Sequence, residues 1–246
     1  MQRNLTIFKL KSRGDMLPPG DVHQVRRTLR EGGLCIVPSD TCYALAGKPT
    51  RDGVPALINA ILDRHEEKIS LSFASQLMIE RYVDLSFREH RILDAADKDT
   101  PLTLVAPISQ QLSPHVQDAL PSALYTRGEL GVRLPHSWIE RQLSAEMDEP
   151  ITSTAIYYDD GSRVVSIDDA IAIVVAGLMR LQREETPLIA IQHPTIKATD
   201  VSTVAGFSRD DEGRKALIVF REGAVERKRV IDIAGRISSR DVEEWT

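Results

Sequence analysis

Three short segments of this chain carry hydroxyl side chains where a strand is predicted to end. They are residues 38–41, 151–154 and 201–204. In open α/β sheets, ligands bind outside the ends of the strands, so Ser and Thr hydroxyls gathered there could hydrogen-bond a polar ligand. Each segment alone is equally typical of a turn in which the hydroxyls bind only the backbone. We therefore expect a ligand site only if the fold brings the segments together.

Two arginines directly follow apolar, strand-like runs. Arg133 stands in GVRLP and Arg221 in VFREG. An arginine at a strand end presents a planar guanidinium suited to bidentate recognition of phosphate or carboxylate, although a surface salt bridge is the alternative for each. Arg64 and Lys68 add positive charge, four residues apart, at the end of a predicted helix. These four cations favour an anionic ligand.

Several common catalytic and metal-binding signatures do not occur in the sequence. It contains no GxxxxGK[ST], GxGxxG, HExxH or GxSxG motif. Cys35 and Cys42 form no CxxC pair, which excludes a zinc ribbon, and we interpret them as small buried apolar side chains. Residues 65–67, His-Glu-Glu, are interpreted as a solvated helix end, so no metal ligand is expected among the site residues.

The composition indicates a soluble globular protein. Of 246 residues, 42% are hydrophobic and 27% charged, and no apolar run approaches the ~18 residues that cross a bilayer. Charges scattered through the first 15 residues argue against a signal peptide, so we expect a cytoplasmic protein without a membrane partner. The net charge of -5 argues against generic binding of nucleic acid and leaves a local basic patch open.

Predicted strands and helices alternate along the chain. Strands are predicted at residues 5–10 (an outer strand), 34–37, 70–74, 102–106, 130–134, 151–158, 188–191 and 216–220. Helices are predicted at residues 21–31, 52–65, 75–83, 88–96, 138–147 and 166–178, with caps at Asp21, Ser75 and Ser166. The pattern predicts a single α/β domain over residues 1–246, with a core of about 5–230 and a charged tail at 231–246 that forms a strand and a frayed end.

Six motifs, in order, resemble those of the YrdC/TsaC-type domain. Residues 32–47, GGLCIVPSDTCYALAG, resemble the family signature G-G-x-[apolar]3-P-T-D-T-x-Y-G-L-G. The others are TPLTLVAP at 100–107, GVRLP at 131–135, PITST at 150–154, STV at 202–204 and FREGA at 220–224. Within the family the chain is most similar to the YciO branch, because YALAGK resembles that branch's YALGCK.

This resemblance implies a YrdC-like fold, a twisted open mixed α/β sheet with helices packed around a concave, positively charged cavity. It also implies the substrates of the family's synthases, which are ATP with Mg²⁺, bicarbonate and L-threonine or, in this chain, another amino acid. The synthases release pyrophosphate and form threonylcarbamoyl-AMP, which partner proteins use to modify an adenosine of tRNA. The carbamate itself attacks the α-phosphate, so the resemblance assigns no catalytic residue and leaves positioning and charge neutralisation to the protein.

The resemblance also assigns binding roles to individual residues. Those expected to contact the amino acid are Thr41, Ser202 and Ser39. Those expected to contact the nucleotide are Arg64, Lys68, Thr103, Ser153 and Arg221. Arg133 is expected to be either structural or substrate-facing.

Two motifs depart from the synthase pattern. Where the synthases carry Lys-x-Arg, this chain has Leu62 and keeps Arg64, and where they carry Ser-x-Asn it has Ala155 and Tyr157. Lys68 is the candidate replacement for the missing lysine. Two functions follow: a threonylcarbamoyl-AMP synthase-like nucleotidyltransferase of weak or altered activity, or a non-catalytic protein that binds a nucleotide or double-stranded RNA.

Overall fold

A computed structural model describes residues 4–11, 16–64, 68–98, 100–121, 124–126, 128–194, 196, 200–209 and 215–235. Within these residues the protein is mixed α/β, as predicted. The strands are β1 (Leu5–Lys9), β2 (Leu34–Pro38), β3 (Tyr43–Ala46), β4 (Leu71–Ser72), β5 (Leu102–Pro107), β6 (Tyr125–Thr126), β7 (Glu129–Arg133), β8 (Ile151–Thr152), β9 (Thr154–Ala155), β10 (Leu188–Gln192), β11 (Thr203–Arg209) and β12 (Lys215–Arg221). The helices are α1 (Pro19–Arg30), α2 (Val54–Ile61), α3 (Gln76–Ile79), α4 (Phe87–Lys98), α5 (Pro114–Ala119), α6 (Trp138–Met147), α7 (Ile167–Arg180) and α8 (Arg227–Ala234).

The described strands are divided between two mixed sheets. The first has the order β1-β10-β2-β3-β9, in which β1, β10 and β2 are parallel and the remaining pairs are antiparallel. The second has the order β12-β11-β5-β7-β4-β8, with β6 paired to β7. Its β11–β5 and β4–β7 pairs are parallel and the others antiparallel. The outer position predicted for β1 is confirmed.

The predicted strand at 151–158 is wrong as a single element, because the chain changes sheets within it. Ile151–Thr152 belongs to the second sheet and Thr154–Ala155 to the first. At the crossing, the Ser153 amide donates to the carbonyl of Ser70 at 3.1 Å. Thr152 Oγ1 accepts from the Gly47 amide at 2.7 Å. These bonds join the two sheets at the segment that carries the predicted hydroxyls.

Local sequence signals explain how several helices begin. Ser75 and Ser166 accept from the backbone amides of Met78 and Asp169, so both predicted caps are confirmed. The cap predicted at Asp21 is wrong, since α1 begins earlier, at Pro19, and Asp21 lies in its first turn. Proline is favoured there because the first helical position needs no amide donor.

Two further element boundaries differ from prediction. Helix α2 ends at Ile61, so the end predicted near residue 65 is wrong, because residues 62–64 are already outside the helix. The strand predicted after residue 230 is wrong, because Arg227–Ala234 forms α8 and buries Val230 and Ala234, which are four residues apart. That spacing is helical. The rest of the predicted tail lies outside the described residues.

Strands β2 and β3 are buried on both faces, which explains their continuous apolar sequence. Ile36 and Leu45 face the larger core cluster, which extends to Leu104 and Val132 of the second sheet. Alternate residues of β2 and β3 face a smaller cluster formed with α1 and α6. Both cysteines are buried, as interpreted from the sequence. Among the described helices, none is long and apolar enough to cross a membrane.

Helix α7 packs tightly against the end of α2, the helix that leads into Arg64. Arg180 Nη2 donates to the carbonyl of Ala60 at 2.6 Å, and a Cβ added to Gly177 would lie 2.5 Å from the Ile61 carbonyl oxygen. Gly177→Ala is therefore expected to lower the free energy of unfolding by about 1–3 kcal/mol through overpacking, measured by urea denaturation. At Gly20 of α1 an added Cβ meets no atom within 4 Å, so Gly20→Ala is the matched control. An equal effect of the two substitutions would contradict this packing.

Candidate functional site

The three hydroxyl segments meet at one cleft. Its empty volume is about 540 Å³, which includes its solvent-open mouth. The residues that these segments place in its lining are Ser39, Thr41, Ser153, Thr154, Val201 and Ser202. The segments are far apart in the sequence, and the condition for a shared ligand site is therefore met by the fold.

The cleft also gathers the four cations singled out in the sequence. Arg64, Lys68, Arg133 and Arg221 all line it, while its described lining residues include no Asp or Glu. Arg64 and Lys68 follow α2, whereas Arg133 and Arg221 end β7 and β12. This lining suits an anionic group, because charge-assisted hydrogen bonds from arginine are strong and directional.

A tight turn between β2 and β3 presents Ser39 and Thr41. The Ser39 hydroxyl donates to the Cys42 carbonyl at 2.8 Å, which holds the turn closed. Thr41 is only 3% exposed, and its Oγ1 lies 3.7 Å from Cys42 Sγ, a weak acceptor. The Thr41 oxygen is therefore rigidly placed and can accept a hydrogen bond from a ligand at the base of the cleft.

Thr103 lies behind the cleft and is absent from its described lining. Its side chain is 1% exposed, and its Oγ1 lies 2.9 Å from the Oγ of Ser202, which does line the cleft. Arg221 Nη2 donates to the Ser202 carbonyl at 3.0 Å. Thr103 and Arg221 thus hold Ser202 from two sides, and Thr103 is placed to act through Ser202.

Thr203 is a supporting residue that sequence reasoning missed. Its Oγ1 donates to the Val225 carbonyl at 2.6 Å and accepts from the amides of Gly223 and Val225 at 2.9 and 3.0 Å. It therefore fixes the loop that follows Arg221. The signal was the position of Thr203 beside Ser202 at the start of a strand, since a buried hydroxyl there needs backbone partners.

Arg64 is held by two of the three residues that depart from the synthase pattern, Ala155 and Tyr157. Its Nη2 donates to the Ala155 carbonyl at 2.7 Å, and its guanidinium carbon lies 5.0 Å from the centre of the Tyr157 ring. A cation–π contact of this kind covers the face of the guanidinium and orients its donor edge. Leu62, at the position of the missing lysine, directly follows α2 and packs against the larger core cluster.

Arg133 is buried in the wall of the cleft. It is 8% exposed, its Nη1 donates to Ser153 Oγ at 3.3 Å, and its Nη2 lies 3.5 Å from Asp40 Oδ2. Asp40 also accepts from the His136 amide at 3.1 Å. Arg133 therefore bridges two segments of the wall and also lines the cleft, and its expected role, structural or substrate-facing, stays a prediction.

Glu140 of α6 lies behind this wall and was also missed. It is fully buried, and Ser72 Oγ donates to its Oε1 at 2.9 Å. Burial raises the pKa of Glu140, and Asp40 raises it further, against the opposing effects of Arg133, Ser153 and Ser72. The sequence did contain a signal. Glu140 lies three and seven residues before Leu143 and Met147, which places it on the apolar face of the helix, and a glutamate on a buried face is unusual.

The raised pKa of Glu140 predicts a pH dependence of stability. A carboxyl that keeps its proton in the folded state stabilises the fold below its ordinary pKa near 4.5, and this contribution is lost as the pH rises through the raised pKa. Between about pH 5 and pH 8, the wild type should lose stability relative to Glu140→Gln. Urea denaturation of both proteins across that range provides the measurement, and parallel pH curves would contradict the shift.

The sequence matches the Sua5/YciO/YrdC family, described as telomere recombination, over residues 27–222. No curated protein sequence is significantly similar to the chain.

Three solved structures share the fold. P. abyssi Sua5 complexed with L-threonine has a TM-score of 0.68 and 17% identity, covering 95% of this chain and 61% of that one. For E. coli YciO the TM-score is 0.69 and the identity 19%, with 92% and 98% covered. For full-length HypF in its phosphate- and nucleotide-bound form, the TM-score is 0.59 and the identity 16%. The match covers 82% of this chain and 29% of the HypF chain. The chain thus spans about three fifths of P. abyssi Sua5 and nearly all of E. coli YciO.

Proposed function

Because the chain belongs to the Sua5/YciO/YrdC family, we propose that its cleft binds ATP and an amino acid and joins the carbamoylated amino acid to AMP. L-Threonine is the default amino acid, which makes the product threonylcarbamoyl-AMP, an intermediate for tRNA modification. The complex of P. abyssi Sua5 with L-threonine and the nucleotide-bound form of HypF support this pairing of ligands. The observation that supports this proposal most strongly is that hydroxyls from three segments and four cations line the same cleft.

Under this proposal the two ligands occupy different parts of the cleft. Arg64, Lys68 and Arg221 neutralise the phosphates of ATP, with Ser153 as a further donor. The side chains that contact the amino acid are Ser39, Thr41 and Ser202. Thr103 contributes by fixing Ser202, since Thr103 itself is buried behind it.

The reaction requires no protein nucleophile. The amino group and bicarbonate form a carbamate with loss of water, and a carbamate oxygen then bonds to the α-phosphorus as the bond to the β-phosphate oxygen breaks. Pyrophosphate leaves with that electron pair. The protein holds the reacting atoms in line and neutralises the charge that develops on the phosphates, both of which lower the barrier.

The family also implies Mg²⁺. The described residues contain no group of three His, Cys, Asp or Glu side chains that could hold a metal ion by themselves. Magnesium prefers oxygen ligands and commonly binds through substrate phosphates. We therefore assign Mg²⁺ to the substrate, as MgATP, and derive no step from protein ligands to the metal.

The experiment that tests the proposal measures pyrophosphate release with ATP, Mg²⁺ and bicarbonate, first with L-threonine and then with each other amino acid. Slow release that depends on both bicarbonate and one amino acid is expected, because Leu62, Ala155 and Tyr157 replace polar groups of the synthases. No release with any amino acid would refute the enzymatic function.

A second candidate is a non-catalytic protein that binds a nucleotide or double-stranded RNA. The contacts of Arg64 with Ala155 and Tyr157 favour it, because they occupy a cation that synthesis would use. Binding of a double-stranded RNA that weakens steeply with salt, without pyrophosphate release, would support this candidate. Salt-independent or undetectable RNA binding would count against it.

A further inference from the structure

A network of polar side chains connects the wall of the cleft to a buried carboxyl on α6. Ser72 and Arg133 are register partners on the parallel strands β4 and β7. The Ser72 hydroxyl donates to Glu140 Oε1, while Glu140 Oε2 is buried and has no hydrogen-bond partner among the described residues. Glu140 is therefore placed beside the strand end that carries Arg133.

Arg133 connects this network to two parts of the cleft. It donates to Ser153, where the chain crosses between the sheets, and it pairs with Asp40, which lies between Ser39 and Thr41. Asp40 in turn accepts from the His136 amide, which fixes the direction of its carboxylate. The positions of Ser153 and of the turn with Ser39 and Thr41 thus depend on where the Arg133 guanidinium lies.

The charges of the network explain why this guanidinium has a fixed place. The charged groups that face Glu140 are Arg133 and Asp40, and the hydroxyls that face it are those of Ser72 and Ser153. A buried ionised carboxylate is costly unless it is paired, and Arg133 is the cation available to it in this network. Asp40, on the β2–β3 turn, pairs with Arg133 directly, whereas Glu140, on α6, is bonded to Ser72 and acts on Arg133 through its charge.

We propose that Glu140, in its ionised form, is a positioning residue that holds Arg133 and, through it, Ser153 and the Ser39–Thr41 turn in their ligand-binding geometry. The identity of the ligand rests on the proposed function, but the positioning of Arg133 does not. When Glu140 gains a proton, Arg133 loses this electrostatic attraction and keeps its ion pair with Asp40. The Ser39–Thr41 turn and Ser153 then loosen, whereas Arg64, Lys68 and Arg221, which are the main phosphate contacts under the proposed function, remain in place.

The test compares wild type with Glu140→Gln, which keeps the shape of the side chain and an acceptor for Ser72 but cannot ionise. Pyrophosphate release is measured between about pH 5.5 and 8.5. The wild-type KM for the amino acid should fall relative to that of the variant as the pH rises, reaching about a tenfold difference, while the KM for ATP stays within about threefold. Taking the ratio of the two proteins cancels the ionisation of the amino acid and bicarbonate.

A second arm needs no turnover. In ¹⁵N-labelled protein near pH 8.5, the guanidinium N–H signals of Arg133, assigned by their loss in Arg133→Gln, should shift and exchange faster in Glu140→Gln. Glu146→Gln is the matched control, because Glu146 also lies on α6 but pairs with Arg26 at the surface. Glu140→Asp retains the charge, so its Arg133 N–H signals should resemble those of the wild type. This variant provides the comparison if Glu140→Gln folds poorly.

The outcomes separate the two proposals. Unchanged Arg133 signals in Glu140→Gln would overturn the positioning role. Changed signals with an unchanged amino-acid KM would overturn its effect on binding and leave the proposed function intact. Changed Arg133 signals in Glu140→Gln, together with no pyrophosphate release by the wild type, would refute the proposed function and keep the positioning role. In a double-mutant cycle, Glu140→Gln should add nothing to Arg133→Gln, and additive losses would contradict action through Arg133.

Discussion

Arg221→Ala is expected to weaken ATP binding by about 10- to 100-fold, the loss associated with removing a hydrogen-bonding charge from a binding site. Arg221 ends β12, lines the cleft, and donates to the Ser202 carbonyl, so its guanidinium is oriented before a ligand arrives. Removing it takes away one phosphate contact and a support of Ser202. Isothermal titration of MgATP into both proteins provides the measurement.

The control for this prediction is Arg81→Ala. Arg81 is also an arginine, but it pairs with Asp148 at the surface and does not belong to the lining of the cleft. Its removal should leave ATP affinity unchanged. Equal ATP affinities of Arg221→Ala and wild type would refute the assignment of Arg221 to the nucleotide.

The triple variant Leu62→Lys, Ala155→Ser and Tyr157→Asn is expected to increase the rate of pyrophosphate release with L-threonine by about 100-fold or more. Each substitution restores a polar group of the synthase pattern, and one well-placed donor contributes about 10²- to 10³-fold to a rate. Tyr157→Asn also removes the ring that covers the Arg64 guanidinium. Initial rates at saturating ATP provide the comparison.

Two controls separate restored chemistry from other effects. Tyr157→Phe keeps the ring over Arg64 and should give no gain. Leu77→Lys adds the same charge at a side chain that is 76% exposed on α3, and it should also leave the rate unchanged. A triple variant no faster than wild type would show that these three positions do not limit the reaction.

The sequence predicted most of the elements and the contents of the cleft, because both follow from local signals. Apolar periodicity predicted α6 at residues 138–147, as observed. The tendency of ligand sites to lie at strand ends predicted that Ser39, Ser153 and Ser202 share a site, and all three line the cleft. The resemblance to the YrdC-type domain is confirmed by the family match.

The remaining features depend on contacts that no local pattern records. Residues 151–158 have the composition of one hydroxyl-rich strand, and only the bonds of Thr152 and Ser153 to Gly47 and Ser70 show that the chain changes sheets. Thr103 matched a family motif, yet whether a hydroxyl on a strand faces a ligand or another side chain is decided by packing. The partners of Glu140 likewise come from distant strands.

The most direct test of the central claim follows the carbon of ¹³C-bicarbonate. The protein is incubated with MgATP, L-threonine and labelled bicarbonate, and the adenylates are analysed by mass spectrometry, with Arg221→Ala as the parallel sample. The account predicts an adenylate that contains the amino acid and one ¹³C atom, formed by wild type and much reduced in Arg221→Ala. Pyrophosphate release without a labelled adenylate, or equal labelled product from both proteins, would contradict it.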